Sequence, residues 1–180
     1  ISTVTEYVQK DPQLALYAEH MNMLMIENDS TLAEFKLSIS QKYKRHRPRL
    51  LILLGNPALL MRDEYRELWG DIPIVLCSEE NYLGPQETYT KKQAIATADR
   101  TPLTQLADPY NMVLLYSNLY LDENIQLIYH IVPEIKKFIF IGDARQINQT
   151  NNLDIRNKLK KTHPNVEYQF ITPQDMTTNQ

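Results

Sequence analysis

The polar residues best placed to do chemistry gather at two points of this chain. Ser78-Glu79-Glu80-Asn81 follows the apolar run Ile72-Pro73-Ile74-Val75-Leu76-Cys77, and Gly142-Asp143 follows Phe138-Ile139-Phe140-Ile141. Carboxylates at such strand ends can accept hydrogen bonds from a polar ligand or act as a general acid and base pair. For Glu79 and Glu80 the ordinary alternative is solvation, and for Asp143 it is the turn before a helix. Ser78 has no G-x-S-x-G elbow around it and no base partner in the sequence, so its hydroxyl reads as a hydrogen-bonding group rather than a nucleophile. Tyr82, Tyr116 and Tyr120 fall near strand ends, where a phenol offers a ligand an apolar ring with a polar tip, although packing is its commoner use. The expected ligand-binding set is Asn56, Ser78, Glu79, Asn81, Tyr120, Asp143 and Arg145, with no catalytic residue.

Several other chemistries lack their residues. The four glycines form neither G-x-G-x-x-G nor G-x-x-x-x-G-K-[ST], the loops that bring backbone close to phosphates. His20, His46, His130 and His163 are far apart, and Cys77 is the only cysteine, so neither metal nor cofactor is expected. A phospho-receiver needs an acidic residue straight after its central strand, where this chain has Gly55-Asn56. A net charge of -3 gives no general attraction to nucleic acid. The basic cluster Lys42, Lys44, Arg45, His46, Arg47 and Arg49 reads as cations at the negative end of a helix dipole. No apolar run approaches the roughly 20 residues of a membrane span. The chain begins at Ile1 without an initiator Met or signal segment, and is expected to be an excerpt of a longer polypeptide.

The elements that must position these residues follow from periodicity. Leu50–Leu54 and Ile72–Cys77 are too short for independent helices and too continuously apolar for half-exposed strands, so both read as strands buried on both faces, with Cys77 an inert buried thiol. Between them runs an amphipathic helix opened by Asn56-Pro57, with Asn56 as its cap, Leu60, Tyr65, Leu68 and Trp69 facing the sheet, and Gly70 as its stop. This makes a βαβ crossover, which sets Gly55-Asn56 and Ser78 to Asn81 on one ligand-binding edge. Upstream, a short helix is expected over Ser2–Lys10, a strand over Leu14–Met21, and a helix from a Thr31/Glu34 capping box to about Arg45. Residues 83–109 read as a connector between lobes or as a long excursion over the binding edge, with one short helix over Glu87–Ala98. A second βαβ is expected from strand Met112–Tyr116, through a helix capped by Asp122 with Ile125, Leu127, Ile128 and Ile131 inward, to strand Phe138–Ile141. A helix over Ile147–Thr162 and an edge strand over Val166–Ile171 complete the pattern.

Two stretches carry a family resemblance. Arg47-Pro48-Arg49-Leu50-Leu51-Ile52-Leu53-Leu54-Gly55-Asn56-Pro57-Ala58-Leu59, with Trp69-Gly70-Asp71-Ile72-Pro73-Ile74-Val75-Leu76-Cys77, resembles the P-D-L-I-I…D-x-x-A…(F/W)-G-x-I-P-V-V-F-C pattern. That pattern belongs to periplasmic-binding-protein-like sensor regions of bacterial two-component hybrid histidine kinases of the Bacteroides type, and to a group of ABC-transporter substrate-binding lipoproteins. Leu119-Tyr120-Leu121-Asp122, through Ile131-Val132-Pro133 to Phe138-Ile139-Phe140-Ile141-Gly142-Asp143, is similar to the family's entry into its second lobe. Gly55-Asn56 replaces the usual acidic residue, and Ser78 the usual glycine.

The resemblance implies an α/β fold of two Rossmann-like lobes with parallel sheets, truncated relative to the family. Its first lobe would span 1–82, the connector 83–109 and the partial second lobe 110–180. The implied function is non-catalytic: an extracytoplasmic, periplasmic sensor domain that binds a small molecule or partner protein between its lobes and signals through a transmembrane segment outside this stretch. A homodimer through the helix at Asp122–Val132 fits that role. The alternatives are an ABC-transporter solute-binding protein and a small hydrolase or transferase using Glu79, Glu80 or Asp143.

Overall fold

The computed structural model describes residues 2–173. Helix α1 (Ser2–Gln9) ends in a turn at Lys10-Asp11. The next segment, expected as a strand over Leu14–Met21, has no regular secondary structure and pairs with no strand among the described residues. Side-chain contacts to the C-terminal end of α2 (Asp29–Tyr43) hold it instead: Tyr17 meets the Tyr43 ring edge-on at 6.0 Å, and Glu19 accepts from Lys42 and from the Tyr43 hydroxyl. An apolar run becomes a strand only where a sheet edge is offered to it. Helix α2 itself starts three residues earlier than the Thr31/Glu34 reading. Asn28 caps it, its Oδ1 accepting from Thr31 N–H at 2.9 Å, and Asn28 N–H donates in return to Thr31 Oγ1 at 3.3 Å.

The first crossover forms as expected. Strand β1 (Leu51–Leu54) leads through a 3-10 segment (Asn56–Met61) and α3 (Arg62–Trp69) to β2 (Ile74–Ser78), and β1 and β2 pair in parallel with Leu51 opposite Ile74. Gly70 takes φ 71°, a value that costs a glycine little and that releases the chain from α3. Trp69 is buried, stacks on Tyr65 at 5.6 Å and donates Nε1 to Tyr43 O at 3.3 Å, fastening α3 to α2.

Residues 83–109 are not a bare connector. They hold β3 (Tyr82–Leu83), α4 (Gln86–Thr90, shorter than the helix expected over Glu87–Ala98), β4 (Thr101–Pro102, antiparallel to β3) and α5 (Thr104–Ala107). Leu83, Tyr89, Ile95 and Leu103 from this stretch join Leu32, Leu59, Leu60, Leu53, Ile74, Leu76 and Met112 in one core. Gly84 is required there, because a Cβ at that position would lie 2.4 Å from Ile95 Cδ1.

Strand β5 (Met112–Tyr116) corrects the expected second crossover. It pairs in parallel with β2, so the first sheet has the order β1-β2-β5. Helix α6 (Leu121–Ile131) then leads to β6 (Lys137–Ile141), which forms a separate two-stranded parallel sheet with β7 (Glu167–Ile171) across α7 (Gln146–Thr162). The unit that closes is therefore β6-α7-β7. Its core packs Ile125, Ile155 and Leu159 against Phe138, Phe140 and Tyr168. Asp122 lies inside the first turn of α6 rather than capping it; Tyr120 holds the cap position with φ 48° and makes no side-chain cap bond. Leu127 and Ile131, expected inward, are exposed.

The reading of the first strands as buried on both faces also fails. Ile52 and Leu54 of β1 are exposed, and Val75 and Cys77 of β2 are only half-buried; beside them Val113 and Leu115 of β5 are exposed on the same face. The helices of this chain cover one side of the sheet, so runs of consecutive apolar residues leave every second side chain uncovered.

Candidate functional site

The polar centre forms where β1 and β2 end. Gly55, with φ 87°, turns the chain out of β1 so that Asn56 reaches across to the end of β2. Asn56 is 2% exposed. Its amide donates to Tyr82 O and, at 3.3 Å, to Glu80 Oε2, while its Oδ1 accepts from the Ser78 hydroxyl. The expected helix cap is thus absent, because this side chain is used between strands and Gly55 holds the cap position. Ser78 Oγ also accepts Glu80 N–H at 3.0 Å and lies 2.7 Å from Glu80 O. Its single proton serves one acceptor at a time. These bonds replace ladder bonds that the strands no longer supply.

Glu80, 7% exposed, extends this centre. Its Oε1 accepts the Tyr82 hydroxyl at 2.8 Å and its Oε2 the Asn56 amide, while Gln146 at the start of α7 donates to Thr150 Oγ1 at 2.7 Å. Burial pushes the Glu80 carboxyl above its ordinary value, and the bond from Tyr82 and the charge of Arg100 offset only part of that rise. Burial, reinforced by the Glu80 charge, likewise drives the Tyr82 phenol upward. Arg100 stacks over the Tyr82 ring at 4.5 Å, pairs with Asp154 of α7 at 2.7 Å and donates to Ile95 O at 3.0 Å. Thr150 Oγ1, also on α7, accepts Ile95 N–H at 3.0 Å. The group is a brace that joins the ends of β1 and β2 to α7 through its own donors and acceptors.

Beside this brace lies a hollow of about 250 Å³. It is lined by Leu76, Ser78, Asn81, Leu103, Thr104, Leu114, Leu115 and Tyr116, at the C-terminal ends of the parallel strands β2 and β5. That edge is where open α/β sheets receive ligands. The walls are mainly apolar, with Asn81, Thr104 and Tyr116 as the polar groups at its margin. The volume exceeds the roughly 150 Å³ that encloses benzene and falls below the roughly 300 Å³ typical of drug-sized pockets. Its shape chemistry suits a small neutral body with one polar end.

Of the expected binding residues, Ser78 and Asn81 line the hollow and Asn56 supports Ser78 from behind. Glu79 is exposed and outside it. Tyr120, at the start of α6, does not line it either. Asp143 and Arg145 form a closed turn before α7: Asp143 Oδ1 accepts Arg145 N at 2.9 Å and Asn148 Nδ2 at 2.7 Å, and Oδ2 accepts Arg145 Nε at 2.7 Å. Burial would raise the Asp143 carboxyl, but these bonds together outweigh it and hold the group below its usual value. Leu103 and Thr104 come from the stretch read as a connector or an excursion over the binding edge, and no motif within it singles them out. Arg100, Gln146 and Asp154 carry no sequence signal, being brought together from segments 46 to 54 residues apart.

No protein-family model, no curated protein and no solved structure matches this chain. Among the described residues no helix is long and apolar enough to cross a membrane, and no group of three or more His, Cys, Asp or Glu side chains is placed to hold a metal ion.

Proposed function

We propose that this chain is a ligand-sensing domain that takes a small, mostly apolar molecule into the hollow at the ends of β2 and β5. The observation that carries this reading is the juxtaposition at Ser78. One side of that residue lines the hollow, and its hydroxyl belongs to the brace that reaches α7 through Glu80, Tyr82 and the Arg100–Asp154 pair. A ligand that alters the packing around Ser78 favours one arrangement of the brace over another, which is the differential affinity that sensing requires. The sequence resemblance supplies the biological setting: the extracytoplasmic, periplasmic part of a two-component sensor histidine kinase, with β6-α7-β7 contributing to a second Rossmann-like lobe.

Backbone amide NMR of the 180-residue chain, titrated with indole, p-cresol and hexanol as probes, tests the binding step. Saturable shifts centred on Ser78, Asn81 and Thr104, abolished by Thr104→Trp at the exposed margin of the hollow, are the expected result. Probe-induced shifts that are absent, or that survive the filled hollow, would remove the proposal.

A further inference from the structure

We propose that this chain pairs with a second copy of itself by reciprocal helix-on-sheet contacts, α6 of each copy lying on the uncovered face of the other copy's β1-β2-β5 sheet. The first support is the sheet. Its register sets two lateral rows on the face away from the core, Ile52–Val75–Val113 and Leu54–Cys77–Leu115. No polar residue interrupts either row, and Val113 and Leu115 are 60% and 54% exposed. Parallel sheets are ordinarily covered on both faces, because apolar rows left in water forfeit about 25 cal/mol for each Å².

The second support is the helix. Ile125 turns α6 toward its own core against Ile155 and Leu159, while Leu127 and Ile131, 54% and 67% exposed, point outward one turn apart. These two side chains are separated by ~6.0 Å along the helix axis, and the two sheet rows by ~6.6 Å along the strands. An outward helix stripe therefore steps in time with the rows when the helix lies along the strands. The 11 residues of α6 extend about 16 Å, close to the length of a five-residue strand, and a helix is about as wide as the ~10 Å between the outer strands of a three-stranded sheet.

Both uncovered surfaces belong to the same chain, so one two-fold axis covers both at once. The exposed apolar side chains of the sheet face, α6 and its flanks present on the order of 500 Å² of apolar surface. With the usual polar share this approaches the ~800 Å² per partner of a stable dimer. The rows carry no charge, and a net charge of -3 per chain opposes association only weakly.

Sedimentation velocity of the 180-residue chain from low micromolar to submillimolar concentration reads the pairing, and Cys77 in the second row reads its geometry. The expected results are a concentration-dependent dimer, its loss in Val113→Asp, and an intermolecular disulfide from Cys77 to the introduced thiol when Leu127→Cys or Ile131→Cys is oxidised with copper-phenanthroline. Circular dichroism reports the fold of each variant, and Leu115→Gln replaces Val113→Asp if the charged variant unfolds. A monomer at every concentration overturns the proposal, as does a dimer indifferent to both face substitutions. So do crosslinks found only between like positions, or only within one chain, where α6 would be covering its own sheet.

Discussion

The Tyr82 hydroxyl donates to Glu80 Oε1 at 2.8 Å while Arg100 lies 4.5 Å above the same ring. One aromatic residue thereby separates a buried carboxyl from a guanidinium that is committed elsewhere, to Asp154 and Ile95 O. The carboxyl is left with neutral donors and no direct ion pair, which is why burial dominates its ionisation.

That dominance fixes a pH dependence. A carboxyl whose folded value lies above its unfolded 4.5 favours the folded state most below 4.5, and this contribution fades as the pH rises through the folded value. Glu80→Gln removes the titration. Thermal unfolding midpoints of the wild type are expected to fall relative to the variant between pH 4.5 and neutrality; parallel pH profiles would contradict it.

Asn56→Ala strips the donor from Tyr82 O and Glu80 Oε2 and the acceptor from Ser78, all buried or partly buried. Unpaired buried polar groups cost about 1–3 kcal/mol each, so a loss of about 3 kcal/mol in denaturant unfolding is expected. Asn56→Asp sets a second carboxylate beside Glu80 and is expected to cost more at neutral pH than Asn56→Ala, with the gap narrowing in acid.

Gly84→Ala drives a methyl group to 2.4 Å from Ile95 Cδ1 and 2.8 Å from its Cγ1, against a side chain that is itself fully buried. Overpacking of this kind costs about 1–3 kcal/mol. Ile95→Ala alone is also destabilising, but the double variant is expected to be more stable than the sum of the two predicts, by at least about 1 kcal/mol in a double-mutant cycle. Strict additivity would mean that the two side chains do not meet.

Arg100→Ala breaks the Asp154 pair and the bonds to Ile95 O. A cost of about 2 kcal/mol is expected, and hydrogen exchange is expected to quicken in α7 around Asp154 while β1 and β2 keep their protection. Arg100→Lys restores one charge contact without the fork to Ile95 O and falls between the two.

The legible parts of the fold are those that local physics decides. The βαβ unit over residues 51–78 follows from two apolar runs, an amphipathic stripe and a glycine at φ 71°. The helices at Asp29–Tyr43 and Gln146–Thr162 likewise follow their own periodicity, although Asn28 competed successfully with Thr31 for the cap. That Ser78 and Asn81 lie at the hollow was legible because they end or closely follow a strand whose end must lie on one edge of the sheet. Leu14–Met21 misled because its pattern describes a strand, whereas strand formation requires a neighbour.

Sequence by itself determined which segments are apolar enough to be strands or helices, that parallel pairing must follow a strand-helix-strand order, and that polar residues collect at strand ends. Tertiary structure alone decided that β5 joins β2, that Asp143 and Arg145 close on each other, and that Tyr82 stands between Glu80 and an Arg100 paired with Asp154. It also decided that, among the described residues, nothing covers one face of the first sheet. The physical reason is range: helix stripes and turns are set by residues a few positions apart, whereas pairing, burial and hydrogen-bond partnership depend on which distant surfaces reach one another first and satisfy the most groups.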